Sequence, residues 1–141
     1  MGLHLRDIDG WDNSAALAPA ARAVRGRMAQ LAGVMAEDAV LARYVSAGYE
    51  LLARRWRGRA GEIDLILRQG ECIIFVEVKQ SVSHAAAAER LGRAQMNRIC
   101  LAACEFCGGQ PRGQLTEMRM DVALVDGVGR IEILENAFGG C

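Results

Sequence analysis

Lys79 is the only lysine in the 141-residue chain, and every other strongly basic side chain is an arginine. It stands in Phe75-Val76-Glu77-Val78-Lys79, a short way downstream of Gly61-Glu62-Ile63-Asp64. An arginine fork stays protonated and spreads its charge over a plane, whereas lysine offers a compact charge on a flexible stem. Two carboxylates and one such ammonium make a set that could do chemistry on a phosphate. The acids suit magnesium, a hard cation that keeps several waters and takes only one or two carboxylates from a protein. Water bound to such an ion can act as a nucleophile, and the ammonium can meet charge growing on an oxygen.

Those side chains can cooperate only if the backbone brings them to one face. Residues 63–68 and 72–79 are two strand-rich runs separated by a polar turn. With Gly70-Glu71 as a two-residue loop, glycine first as a type II′ turn prefers, Gln69 faces Cys72 and Asp64 falls opposite Glu77. Opposed side chains in such a pair have Cβ atoms about 4.5–5.5 Å apart. Alternation sends Glu77 and Lys79 to one face and Val78 to the other. Like charges so opposed are destabilising unless something positive compensates them, which again points to a cation. The plainer alternative is a salt-bridged hairpin in which Lys79 pairs with Glu77 or Glu62, and a longer loop would slip the register.

The remaining elements must carry this hairpin. Residues 1 to about 13 have no sustained period and read as an irregular extension, and Pro19 delays a continuous helix to about Ala20. Val34, Leu41 and Val45 form its stripe, and Gly48 ends it. Residues 49–53 form a short strand that leads into Arg54-Arg55-Trp56-Arg57-Gly58-Arg59, the densest basic run. A helix spans about residues 85–107, with Gly92 as its weak point and Gly108-Gly109 as its stop. A strand at 118–125 turns at Asp126-Gly127 into a last strand at 130–134. Helix, strand, strand pair, helix and strand pair describe a mixed α/β domain with helices packed on a sheet.

Composition bounds the function. The chain has the length of one domain, 52% hydrophobic residues and zero formal net charge, so any nucleic-acid surface must be a local patch rather than an overall basic field. No apolar stretch is long enough to span a bilayer and no secretory pattern opens the sequence, so a cytoplasmic protein without membrane contact is expected. Five cysteines, an odd number, suggest reduced thiols. Cys100, Cys104 and Cys107 have a spacing that can hold an iron-sulfur cluster, but it is equally one helix face, and core packing is the better reading.

The two acidic segments resemble the D…E-x-K core of the PD-(D/E)xK nucleases, which include restriction endonucleases and Holliday-junction resolvases. More narrowly, the chain resembles the bacterial YraN-like family of predicted endonucleases. The likeness runs from about Gly33 to Phe138 and includes Gly48-Tyr49, Trp56-Arg57, Met120-Asp121-Val122 and Glu135-Asn136-Ala137-Phe138. It implies a restriction-endonuclease-like α-β-β-β-α-β core over residues 33–138, after a variable extension (1–32) and before a short tail (139–141). It also implies Asp64 and Glu77 as metal ligands and Lys79 as the third catalytic position, with Glu37 on the first helix as a further ligand and magnesium, or manganese in its place, as cofactor. Arg54, Arg55, Arg57 and Arg59 are expected to attract the substrate backbone. Gln95, where the family pattern has lysine, can donate to a phosphate oxygen without bringing charge. The basic residue usual after the catalytic lysine is also missing, since Gln80-Ser81 follow. Asp121 is read as a buttress or as the partner of a nearby arginine, and His84 as an exposed loop residue. The expected partner is nucleic acid, DNA ahead of RNA, and a homodimer would suit a substrate with two scissile strands. Two functions follow: a magnesium-dependent nuclease, or a nucleic-acid-binding module that keeps the fold without turnover.

Overall fold

The computed structural model describes residues 14–141, so the irregular extension expected over residues 1 to about 13 lies outside the described residues. The described residues divide into two units, one that ends at Val34 and one that spans Met35–Cys141. Helix α1 (Ser14–Ser46) begins six residues before the expected start at Ala20. Pro19 falls in its second turn, where it removes a single backbone bond among alanines that favour the helix. Gly48, at φ +95°, ends the helix. Tyr49 N–H reaches back to Tyr44 O at 3.1 Å and Gly48 N–H to Val45 O at 3.0 Å. The Tyr44 and Tyr49 rings meet edge-on at 5.1 Å, the apolar contact that accompanies this cap.

Five strands follow in the order β1-β2-β3-β4-β5 across one sheet: β1 (Glu50–Arg57), β2 (Glu62–Gln69), β3 (Cys72–Gln80), β4 (Met118–Val125) and β5 (Ile131–Leu134). β3 and β4 are parallel and the other pairs antiparallel. A parallel pair needs a crossover, and α2 (His84–Glu89) with α3 (Arg93–Gly108) supplies it. The single helix expected over residues 85–107 is therefore broken, with Gly92 as the N-cap of α3 rather than a weak point inside it. This mixed α/β arrangement is consistent with the restriction-endonuclease-like core that the resemblance implies.

Both faces of the sheet are covered. Ala36, Val40 and Tyr44 of α1 pack on Leu65, Leu67, Ile74, Val76, Ala123 and Val125. This stripe replaces the expected Val34, Leu41 and Val45, since Val45 is exposed and Leu41 only flanks the core. On the opposite face Ile99, Ala102, Ala103 and Cys107 of α3 pack on Ile66, Ile73, Phe75 and Met120. The cysteine expectations divide. Cys107 is buried as expected and Cys104 is half-buried, but Cys100 is disulfide-bonded to Cys141, which corrects the reading of five reduced thiols. The tail returns to α3 and brings together two cysteines 41 residues apart, a proximity that residue spacing does not reveal.

Candidate active site

The hairpin turns as its residues require. Gly70 has φ +61° and Glu71 stays out of the left-handed region, the combination that a type II′ turn needs. Gln69 pairs with Cys72, and the ladder runs back in that register to Leu65 opposite Val76. One step further stand Asp64 and Glu77. There the strands stop exchanging backbone bonds and the Asp64 side chain takes over, with its Oδ2 accepting the Val78 N–H at 2.8 Å. A fork between two strands thus opens at the residues that carry charge.

Glu77 is buried, while Asp64 and Lys79 are half-buried. Lys79 Nζ lies 3.1 Å from Glu77 Oε1. Gln95, from the first turn of α3, donates its Nε2 to the same oxygen at 3.1 Å. Burial, and next the neighbouring Asp64 charge, push the Glu77 carboxyl up to about 7, while Lys79 opposes the shift. Asp64 is also raised, first by burial, although the Val78 N–H pulls the other way. In the cation-free protein, burial and mutual proximity therefore push both carboxyls toward their protonated forms. Asp64, Glu77, Lys79 and Gln95 are therefore gathered at one place.

Glu37 is handled differently. It is buried on α1, where its Oε1 accepts from Arg55 Nε at 3.2 Å and lies 3.7 Å from Arg54 Nη2. Its charge reaches Asp64 strongly enough to help raise that carboxyl. Among the described residues, no three His, Cys, Asp or Glu side chains form a ready-made metal cage.

The strand expected over residues 49–53 is longer and takes in the first part of the arginine run, because β1 extends through Arg57 and forms one edge of the sheet. Arg54 also bonds Asp38 at 2.8 Å, and Arg57 pairs with Glu62 at 3.1 Å. Arg59 is exposed, and its backbone N–H donates to Glu105. Trp56 leaves the basic surface and packs edge-on against Phe106 at 5.3 Å. Arg55 itself sits at φ 49°, rare for a side chain of its size. Between Leu51 and Ala53 the register with β2 shifts by one residue, and such a bulge re-aims the side chains that follow.

Asp121 is fully enclosed but serves another network. It accepts from Tyr44 Oη at 2.7 Å, from Arg119 at 2.8 Å and from Asn136 N–H at 3.0 Å. Burial, and next the bond to Asp121, raise the Tyr44 hydroxyl far above its ordinary value. Of the two roles read for Asp121, pairing with an arginine is what the structure contains. Tyr44 and Arg119 were not legible as members, since nothing in their spacing marks a tie between a helix and a strand 77 residues away. His84 is not a loop residue: it begins α2 and bonds Arg130 O at 2.9 Å, with Glu132 at 3.1 Å.

A sequence profile described as the uncharacterised protein family UPF0102 matches residues 36–125. The chain is 60% identical over 119 residues to UPF0102 protein SPO0400 of Ruegeria pomeroyi, covering 84% of this chain and 97% of that protein. It is 62% identical over 113 residues to UPF0102 protein Rsph17025_0472 of Cereibacter sphaeroides, covering 80% and 97%. Identity to UPF0102 protein TM1040_0449 of a Ruegeria strain is 51% over 115 residues, covering 82% and 93%.

Proposed function

The chain belongs to the uncharacterised protein family UPF0102, the YraN-like proteins, and we propose that it is a metal-dependent nuclease of the PD-(D/E)xK type that hydrolyses phosphodiester bonds. The observation that carries this reading is the meeting of Asp64, Glu77 and Lys79 where β2 and β3 part.

Magnesium fits the donor set. Val78 occupies Asp64 Oδ2, and Lys79 and Gln95 share Glu77 Oε1, so each acid keeps its second oxygen for a hard cation. Two partly buried acids whose carboxyls are both raised have protons to exchange for a cation, because carboxylates release protons as they take a metal. When bound, the ion lowers the pKa of a coordinated water and neutralises charge on a phosphoryl oxygen. Asp64 is fixed for this role by Val78 and Glu77 by Gln95. Lys79 sets a compact ammonium on the face of Glu77, where it can donate to an oxygen that gains charge in the transition state. Exposed Arg59, just beyond β1, attracts the phosphate backbone, DNA ahead of RNA. Arg54, Arg55 and Arg57 join it only if their pairs with Asp38, Glu37 and Glu62 open.

Linear, flapped and branched DNA, together with RNA, should be incubated with magnesium or manganese. Cleavage by wild type should fall by at least about a hundredfold in Asp64→Asn and in Lys79→Ala. A wild type that binds without cutting, or variants that cut as well as wild type, would remove this site from consideration.

A further inference from the structure

Helix α1 has two apolar sides. Ala36, Val40 and Tyr44 face the sheet. Ala21, Val24, Met28, Leu31 and Met35 recur at intervals of three and four residues, and the last four are exposed to 49%, 63%, 54% and 61%. Residues 18–31 are all exposed, yet they are helical and include Gly26. Helices of this kind draw most of their stability from packing an apolar face. Alternating three- and four-residue steps are the pattern that two helices bury against each other, whereas a helix on a globular core needs a wider stripe.

We infer that this stripe is a self-association surface on which a second copy of the chain lays its own α1 in parallel. Flanking charges favour that occupant. With Ala21, Met28 and Met35 at the first seam position and Val24 and Leu31 at the second, the residues that meet across a parallel pair are Ala20 with Arg25 and Arg27 with Ala32. No arginine faces another, although this stretch has three arginines and no acid before Glu37. Gly26 and Gly33 fall seven apart at the outermost position, where a side chain would add nothing to the seam. Asp38 interrupts the seam, and its carboxylate is already held by Arg54. The surface is independent of the reaction proposed above and can be tested without substrate.

Sedimentation of the full chain should give twice the 15.2 kDa chain mass. Met28→Asp/Leu31→Asp should sediment as a monomer and keep the circular dichroism of the sheet. Ala32→Glu gives Arg27 of the other copy an acidic partner and should tighten the dimer by about threefold, an effect that an unfolded helix could not produce. A wild type that stays monomeric at about 100 µM, or a dimer indifferent to the paired aspartates, would overturn the inference. So would a monomer that pellets with anionic phospholipid vesicles, since the stripe would then be a lipid-facing surface.

Discussion

Glu77 is the acid of the proposed site whose proton affinity is raised furthest into the physiological range. Its folded carboxyl is raised to about 7 from an ordinary value of 4.5. Below 4.5 the group is neutral in both states and its contribution to stability is fully present. Between 4.5 and about 7 the unfolded chain ionises while the native site keeps its proton, so stability is lost as pH rises, and above 7 the curve flattens. The loss amounts to about 3 kcal/mol at the usual conversion of pKa to free energy. Asp64 is raised too and contributes with the same sign. Glutamine preserves the shape of Glu77 but cannot titrate. Urea denaturation of metal-free protein from pH 4.5 to 8 should therefore show a falling trend in wild type that is flattened in Glu77→Gln. Parallel curves for the two proteins would mean that Glu77 titrates as an exposed acid does.

At the scale of elements, the hairpin was readable and its supports were not. Two strand-like runs and a glycine-led turn determine which residues face each other, so the register from Gln69 opposite Cys72 back to Leu65 opposite Val76, one step short of Asp64 and Glu77, follows from local rules. The arginine pairings depend on how α1 lies across β1 and on a one-residue bulge, neither of which leaves a periodic trace. The Asp121 network is hidden for the same reason: it joins α1, β4 and the turn after β5 through groups far apart in sequence. Its energetics follow from enclosure. Asp121→Ala would strand the Arg119 guanidinium and the Tyr44 hydroxyl, and losing one member of a buried charged pair costs about 3–5 kcal/mol. Tyr44→Phe removes one donor from a carboxylate that keeps two others, and should cost about 1–2 kcal/mol. Chemical denaturation should separate the two variants in that order. Equal and small losses would show that Asp121 is reached by water that replaces its partners.

For the whole molecule, a cation that binds only the folded state must raise its stability by mass action. At ten times its dissociation constant the gain is about 1.4 kcal/mol, a rise in melting temperature of about 5 °C for a chain of this size. Wild type should show that rise with magnesium, more strongly at pH 8 than at pH 6, because binding at the lower pH must first expel the Glu77 proton. Asp64→Asn and Glu77→Gln should lose it. Glu37→Gln then distinguishes two ways of building the site. Glu37 is joined to Arg55 and Arg54, so if that pairing persists with the metal bound, the variant keeps the full rise and loses only part of its basal stability. If Glu37 leaves the arginines to complete the coordination, the variant loses much of the rise, and Arg54 and Arg55 are freed toward the nucleic acid in the same step. Ligand recruitment and substrate attraction would then be one conformational event, visible as a melting shift that Arg55→Ala enlarges and Glu37→Gln abolishes.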